Sequence, residues 1–243
     1  MTETRTSFPV LAGPRRGAAT GLAVAGLALA LVLVALPFRA PHPTWAAIGT
    51  LAVTGAVVLD RVSAFHPHGR FGVANLLTML RAAGAAGFVA LALEPGVTAA
   101  HAWAACGAVA VLLAVDGIDG WVARRQGLAS AFGARFDMEV DALLILALAC
   151  LAWGLGKAGP WVIALGLMRY GFVLAGLAWP RLARPLPASA RRRAVCMLQV
   201  AALGLLLAPP VLPPASDLVA LAALAALAAS FAADIRWLLR QAP

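Results

Sequence analysis

Residues 99–157 read AAHAWAACGAVAVLLAVDGIDGWVARRQGLASAFGARFDMEVDALLILALACLAWGLGK. Two apolar runs, 99–118 and 138–157, flank a polar connection. Each run has about the twenty residues that a helix needs to cross a bilayer. Asp116, Asp119, Asp137, Glu139 and Asp141 lie where the runs meet the connection, five of the chain's ten acidic residues. Carboxylates at the edge of hydrocarbon are costly, and where they are kept they commonly do chemistry.

The same apolar pattern extends in both directions, over 17–37, 44–60, 74–94, 160–179, 194–212 and 217–235. Prolines and glycines punctuate the gaps, as in Pro41-His42-Pro43 and Pro67-His68-Gly69, where they end helices. The chain is 63% hydrophobic and only 12% charged, against about half and a quarter in soluble domains. That excludes a soluble enzyme, a disordered chain and a secreted disulfide scaffold. Continuous apolar blocks also exclude a β-barrel, whose strands alternate. The expected fold is all-α and polytopic, with about eight helices, because only closed hydrogen-bonding patterns survive in lipid. Residues 1–62 form a tail and transmembrane hairpin in front of a six-helix unit over 71–238. Pro14-Arg15-Arg16-Gly17 resembles a leader, but the following run is long for one and no small-residue cleavage site follows, so it reads as a retained span.

Sixteen of the nineteen basic residues fall on one side of this topology, leaving Arg39 and Lys157 on the other and Arg169 inside a segment. The bias predicts that both termini and the carboxylates face the cytoplasm, in an inner (cytoplasmic) membrane. It also explains the net charge of +9 without a nucleic-acid partner, since no soluble basic domain exists to carry one. Cys106, Cys150 and Cys196 are far apart and read as small buried apolar groups. His66 and His68 have no third ligand beside them and read as interfacial loop residues.

The carboxylate spacing is informative. Asp116 and Asp119 are i,i+3, and Asp137 and Asp141 are i,i+4, so each pair shares a helix face. Gly120 and Ala123 share the first face and Gly133 the second. Counted from the far ends of their segments, Asp116 lies about 25 Å deep and Asp141 about 24 Å, which is the same level. Carboxylates brought together there repel unless cations are present. Oxygen-only ligands favour a hard divalent ion, magnesium or manganese. Pairing with Arg124, Arg125 and Arg135 would account for one aspartate at a membrane surface, but not for four in register. Glu139 points elsewhere on its helix. A membrane prenyltransferase is an alternative, although its Asp motifs come from distant parts of the chain and no second cluster exists outside 116–141. A cation channel or transporter is another, although it has no need of the glycine, alanine and arginine spacing.

Written as Asp116-x2-Asp119-Gly120-x2-Ala123-Arg124-x8-Gly133-x3-Asp137-x3-Asp141, the stretch resembles the CDP-alcohol phosphatidyltransferase signature at every fixed position. Eight fixed residue types arise by chance about once in a billion starts at average usage. Asn75-Leu-Leu-Thr78-Met-Leu-Arg81 resembles the opening of that family's first helix. The resemblance implies a six-helix membrane transferase in phospholipid biosynthesis. It would move a phosphatidyl group from CDP-diacylglycerol or another CDP-alcohol to a small polar or phosphorylated alcohol, releasing CMP. It implies that Asp116, Asp119 and Asp137 hold the metal, and that Asp141 completes the site and acts as the base. Arg124 would meet phosphate oxygens, Gly120, Ala123 and Gly133 would admit the cytidine nucleotide, and Asn75 and Thr78 would line the donor side. It also implies a homodimer. For a phosphorylated acceptor such as glycerol 3-phosphate, the candidate cations are Arg169, Arg191, Arg192 and Arg193. Arg193-Ala-Val-Cys196-Met-Leu-Gln199 resembles the Gly-Lys-x-Lys-Thr-x-x-Gln pattern of phosphatidylglycerophosphate synthases, with Val195 for the second lysine and Cys196 for the threonine.

Overall fold

The computed structural model describes residues 13–126, 128 and 130–241, except for the side chains of 118–124 and 126. Among the described residues there are nine α-helices and no strand. They are α1 (Pro14–Ala35), α2 (His42–Phe65), α3 (Val73–Leu93), the short α4 (Pro95–Ala100), α5 (Ala102–Gln126), α6 (Ala131–Gly154), α7 (Ala164–Ala178), α8 (Ala190–Leu206) and α9 (Ala215–Arg240).

The centre is α3, which packs against α1, α2, α5 and α6. Its sequence explains the position. Ala82, Ala83, Ala85, Ala86 and Ala90 are all buried, and small residues let helix backbones approach closely in lipid, where dispersion rather than water exclusion holds helices together. Gly84 is one such approach, since a Cβ there would sit 2.7 Å from Leu112 Cδ2 of α5. One face of α3 closes a core with Leu144, Leu148 and Leu151 of α6 and Leu203 and Leu206 of α8. The other closes a second core with Leu29 of α1, Val58 of α2 and Phe136 of α6. The first two helices are therefore packed onto α3 and the start of α6.

Among the described residues, five helical stretches are long and apolar enough to cross a membrane: α1, α2, α3, Pro160–Ala178 ending in α7, and α9. Four of these five have no more than 28% of their apolar window buried, with Leu27, Leu31 and Val34 of α1 and Leu174 and Leu177 of α7 turned outward, as lipid contact requires. The apolar part of α5 is shorter, Ala102–Gly117.

Helix ends depart from the apolar windows where polar residues continue the helix. α5 runs past residue 118 to Gln126, and α6 begins at Ala131 rather than near 138. Hydropathy marks the part of a helix in hydrocarbon, whereas backbone hydrogen bonding continues beyond it. α8 ends at Leu206, short of 212. Past its end, the buried Lys157 Nζ donates to the carbonyls of Ala208 at 3.0 Å and Val211 at 2.7 Å. A cation suits the negative end of a helix.

Candidate active site between α3, α5 and α6

Ser130 caps α6, its hydroxyl accepting a hydrogen bond from the Gly133 amide at 3.0 Å. The cap is itself held. His66 Nδ1 lies 3.1 Å from Ser130 Oγ, and Nε2 lies 2.7 Å from the Arg70 carbonyl. A carbonyl only accepts, so Nε2 carries the proton and Nδ1 accepts from the serine hydroxyl. Burial pushes the His66 pKa below its usual value; the Arg70 carbonyl opposes this and neighbouring His68 adds to it. The neutral ring thus fixes the start of the helix that carries Asp137 and Asp141.

One oxygen each from Asp116 on α5 and from Asp137 and Asp141 on α6 fall within 4.8 Å of one another. Asp116 and Asp141 are largely buried, while Asp137 is more open. The i,i+4 step turns both α6 carboxylates toward the same point. Gly133, one turn earlier, meets α3: a Cβ there would lie 2.8 Å from Asn75 Oδ1. Asn75 Nδ2 donates to the Phe71 carbonyl at 2.5 Å, and Thr78 Oγ1 donates to the Ala74 carbonyl at 3.1 Å. From α8, the Cys196 thiol donates to Asp141 Oδ2 at 3.3 Å.

Arg81 occupies the centre. Its side chain is 2% exposed, and Nη1 lies 2.7 Å from Asp116 Oδ1 and 2.5 Å from Asp137 Oδ1, while Nη2 pairs with Asp141 Oδ1. This corrects the sequence reading, which counts Arg81 among cytoplasmic loop charges. It sits inside α3 as the only charge between residues 73 and 93, and that isolation is the signal that singles it out.

The acceptor-side arginines are placed differently from expectation. Arg169 pairs with Glu139 at 2.6 Å. Glu139 is two residues from both Asp137 and Asp141, and so on the opposite face of α6. Arg191 and Arg192 both bind Asp234 of α9, and Arg191 Nη1 also reaches Ser230 Oγ at 3.1 Å. Arg169, Arg191 and Arg192 thus pair with carboxylates of neighbouring helices, of which Asp234 is buried and Glu139 half-exposed. Arg193 lies in the first turn of α8. Gln199 is also a packing residue, donating to the Ala223 carbonyl at 2.9 Å. The side chains of Asp119, Gly120, Ala123 and Arg124 lie outside the described residues.

The donor set is all oxygen, converges from two helices, and already holds a buried guanidinium in the place of a cation. Among the described residues, the carboxylates of Asp116, Asp137 and Asp141 outnumber the Arg81 guanidinium that pairs with them. These features fit a hard divalent ion. The family model described as CDP-alcohol phosphatidyltransferase matches residues 71–233. The chain belongs to the CDP-alcohol phosphatidyltransferase family. The match starts at Phe71 and covers α3 to most of α9. No curated protein and no solved structure matches the chain. Membership makes it an integral-membrane transferase of a phosphatidyl group from a CDP-alcohol, and it displaces the prenyltransferase and channel readings.

Proposed function

We propose that the protein transfers the phosphatidyl group of CDP-diacylglycerol to a phosphorylated alcohol, with glycerol 3-phosphate the preferred acceptor. The convergence of Asp116, Asp137 and Asp141 within 4.8 Å carries this reading. Asp116, Asp119 and Asp137 hold magnesium or manganese, with Asp141 completing the set. When bound, the ion neutralises the diphosphate and stabilises the charge that develops on CMP.

The chain's own residues do the rest. Asp141 accepts the proton of the acceptor hydroxyl. The acceptor oxygen forms a bond to the phosphorus that carries the diacylglycerol, and the bond from that phosphorus to the bridging oxygen breaks. CMP leaves with that oxygen. Arg124 donates to phosphate oxygens, and Gly120, Ala123 and Gly133 keep the helix surface low beneath the nucleotide, with Asn75 and Thr78 on the donor side. Arg193, in the first turn of α8, meets the acceptor's phosphate.

The arginine bias supports a cytoplasmic site and cytoplasmic termini. Residues 1–62 act as an accessory hairpin, and the working unit is a homodimer. The acceptor is tested by supplying glycerol 3-phosphate, inositol phosphate, serine or no acceptor to purified protein with CDP-diacylglycerol and magnesium, and identifying the lipid by mass spectrometry. Phosphatidylglycerophosphate supports the reading. A product formed only with serine or inositol phosphate rejects the acceptor and keeps the reaction class.

A further inference from the structure

We infer that Arg81 is an exchangeable counter-ion, which yields the carboxylates to the metal and moves onto the donor's diphosphate. The inference rests on the proposed metal site and concerns what happens to the charge already there.

Arg81 Nη1 touches Asp116 Oδ1 at 2.7 Å and Asp137 Oδ1 at 2.5 Å, and Nη2 touches Asp141 Oδ1. A small divalent cation bound by the same oxygens stands about 2.0–2.1 Å from each. It would therefore take nearly the position of Nη1. Two positive groups do not share one set of oxygens in a buried place, so one must withdraw. The guanidinium does not lose its proton in proteins, and so cannot become neutral to stay.

Displacement alone takes the carboxylates of Asp116, Asp137 and Asp141 from the charge. Arg81 is 2% exposed and comes from the interior of α3, so it has little water to turn to. A buried charge that loses its ion-pair partners is strongly penalised. The donor's diphosphate supplies the missing anion, and a guanidinium matches phosphate oxygens in a fork. Metal without nucleotide takes the described carboxylates from Arg81, and nucleotide without metal leaves them on it. Each ligand therefore helps the other, by an equal factor in both directions. The device also keeps the metal-free protein folded, because Arg81 masks carboxylates that would otherwise repel.

The test is Mn2+ affinity of the full chain in detergent, with and without CDP, for wild type, Arg81→Gln and Arg81→Lys. The expected result is that Arg81→Gln binds Mn2+ alone about tenfold more tightly than wild type, and that the tightening caused by CDP shrinks by a similar factor. Arg81→Lys, which keeps the charge but loses the fork, falls between. Should Arg81→Gln fail to fold, Arg81→Lys decides by the same comparison. Tighter Mn2+ binding with an unchanged CDP effect is the behaviour of a fixed counter-charge and overturns the exchange, as does weaker Mn2+ binding. Absence of Mn2+ binding in folded wild type, with or without CDP, instead overturns the metal reading on which the inference rests.

Discussion

Gly133 lies against Asn75 so closely that a Cβ on the glycine would stand 2.8 Å from Asn75 Oδ1 and 3.3 Å from Ser130 Oγ. This contact sets the separation of α3 and α6, and hence of Arg81 from Asp137 and Asp141. Gly133→Ala is predicted to push the helices apart at the site. Overpacking of this kind costs about 1–3 kcal/mol, to be read as thermal unfolding in detergent. CMP release should fall by at least about tenfold, because catalytic geometry is sensitive to displacements of about 1 Å. Full activity in Gly133→Ala would separate the contact from the chemistry.

The two outer arginines are predicted to behave differently. Arg169→Gln leaves Glu139 without its 2.6 Å partner, so the unfolding temperature should drop while the acceptor KM stays unchanged. Arg193→Gln should raise the KM for a phosphorylated acceptor by about tenfold, the loss of about 1.4 kcal/mol. A raised KM in the Arg169 variant alone would reverse these roles.

Asp234 ties α9 to α8 through Arg191 and Arg192. It is 9% exposed, but its partners are more open, so solvent screening reduces the worth of the pairs. Asp234→Ala is expected to cost about 1–3 kcal/mol of stability. In a double-mutant cycle, removing Arg191 as well should restore part of the loss. Additive losses would mean that the ion pair does not couple the helices.

Acidification should loosen the α6 cap. The His66 pKa is lowered from a usual 6.5, first by burial, so the unfolded chain binds the proton more readily than the folded one. The stability that neutral His66 contributes is complete above about pH 6.5 and is lost as the pH falls from there through the folded value. Unfolding temperatures from about pH 7.5 down to about pH 5 should therefore fall less steeply in His66→Gln than in wild type. Equal slopes would remove His66 as the origin.

The readable parts of this protein are those governed by periodicity and spacing. Apolar length predicts membrane helices at α1, α2, α3 and α9, and the i,i+4 step from Asp137 to Asp141 predicts a shared face. What stays hidden depends on which helix lies opposite. Arg81 stands out as the lone charge of its apolar run, but its partners Asp116, Asp137 and Asp141 emerge only once α3 proves to face both α5 and α6. His66 reads as a loop residue until Ser130, 64 positions later, proves to be its partner. The arginine triplet shows no internal distinction, yet Arg191 and Arg192 both turn to Asp234 of α9. Long-range pairing of this kind leaves no mark in a single sequence.

The most direct test of the central claim is CMP release from CDP-diacylglycerol with magnesium or manganese, comparing wild type with Asp141→Asn. The prediction is acceptor-dependent release by wild type, and at least about a hundredfold slower release by the variant, the size of a lost general base. Wild-type protein that is folded and loaded with metal but binds no CDP-diacylglycerol, or an Asp141→Asn variant as fast as wild type, would contradict it.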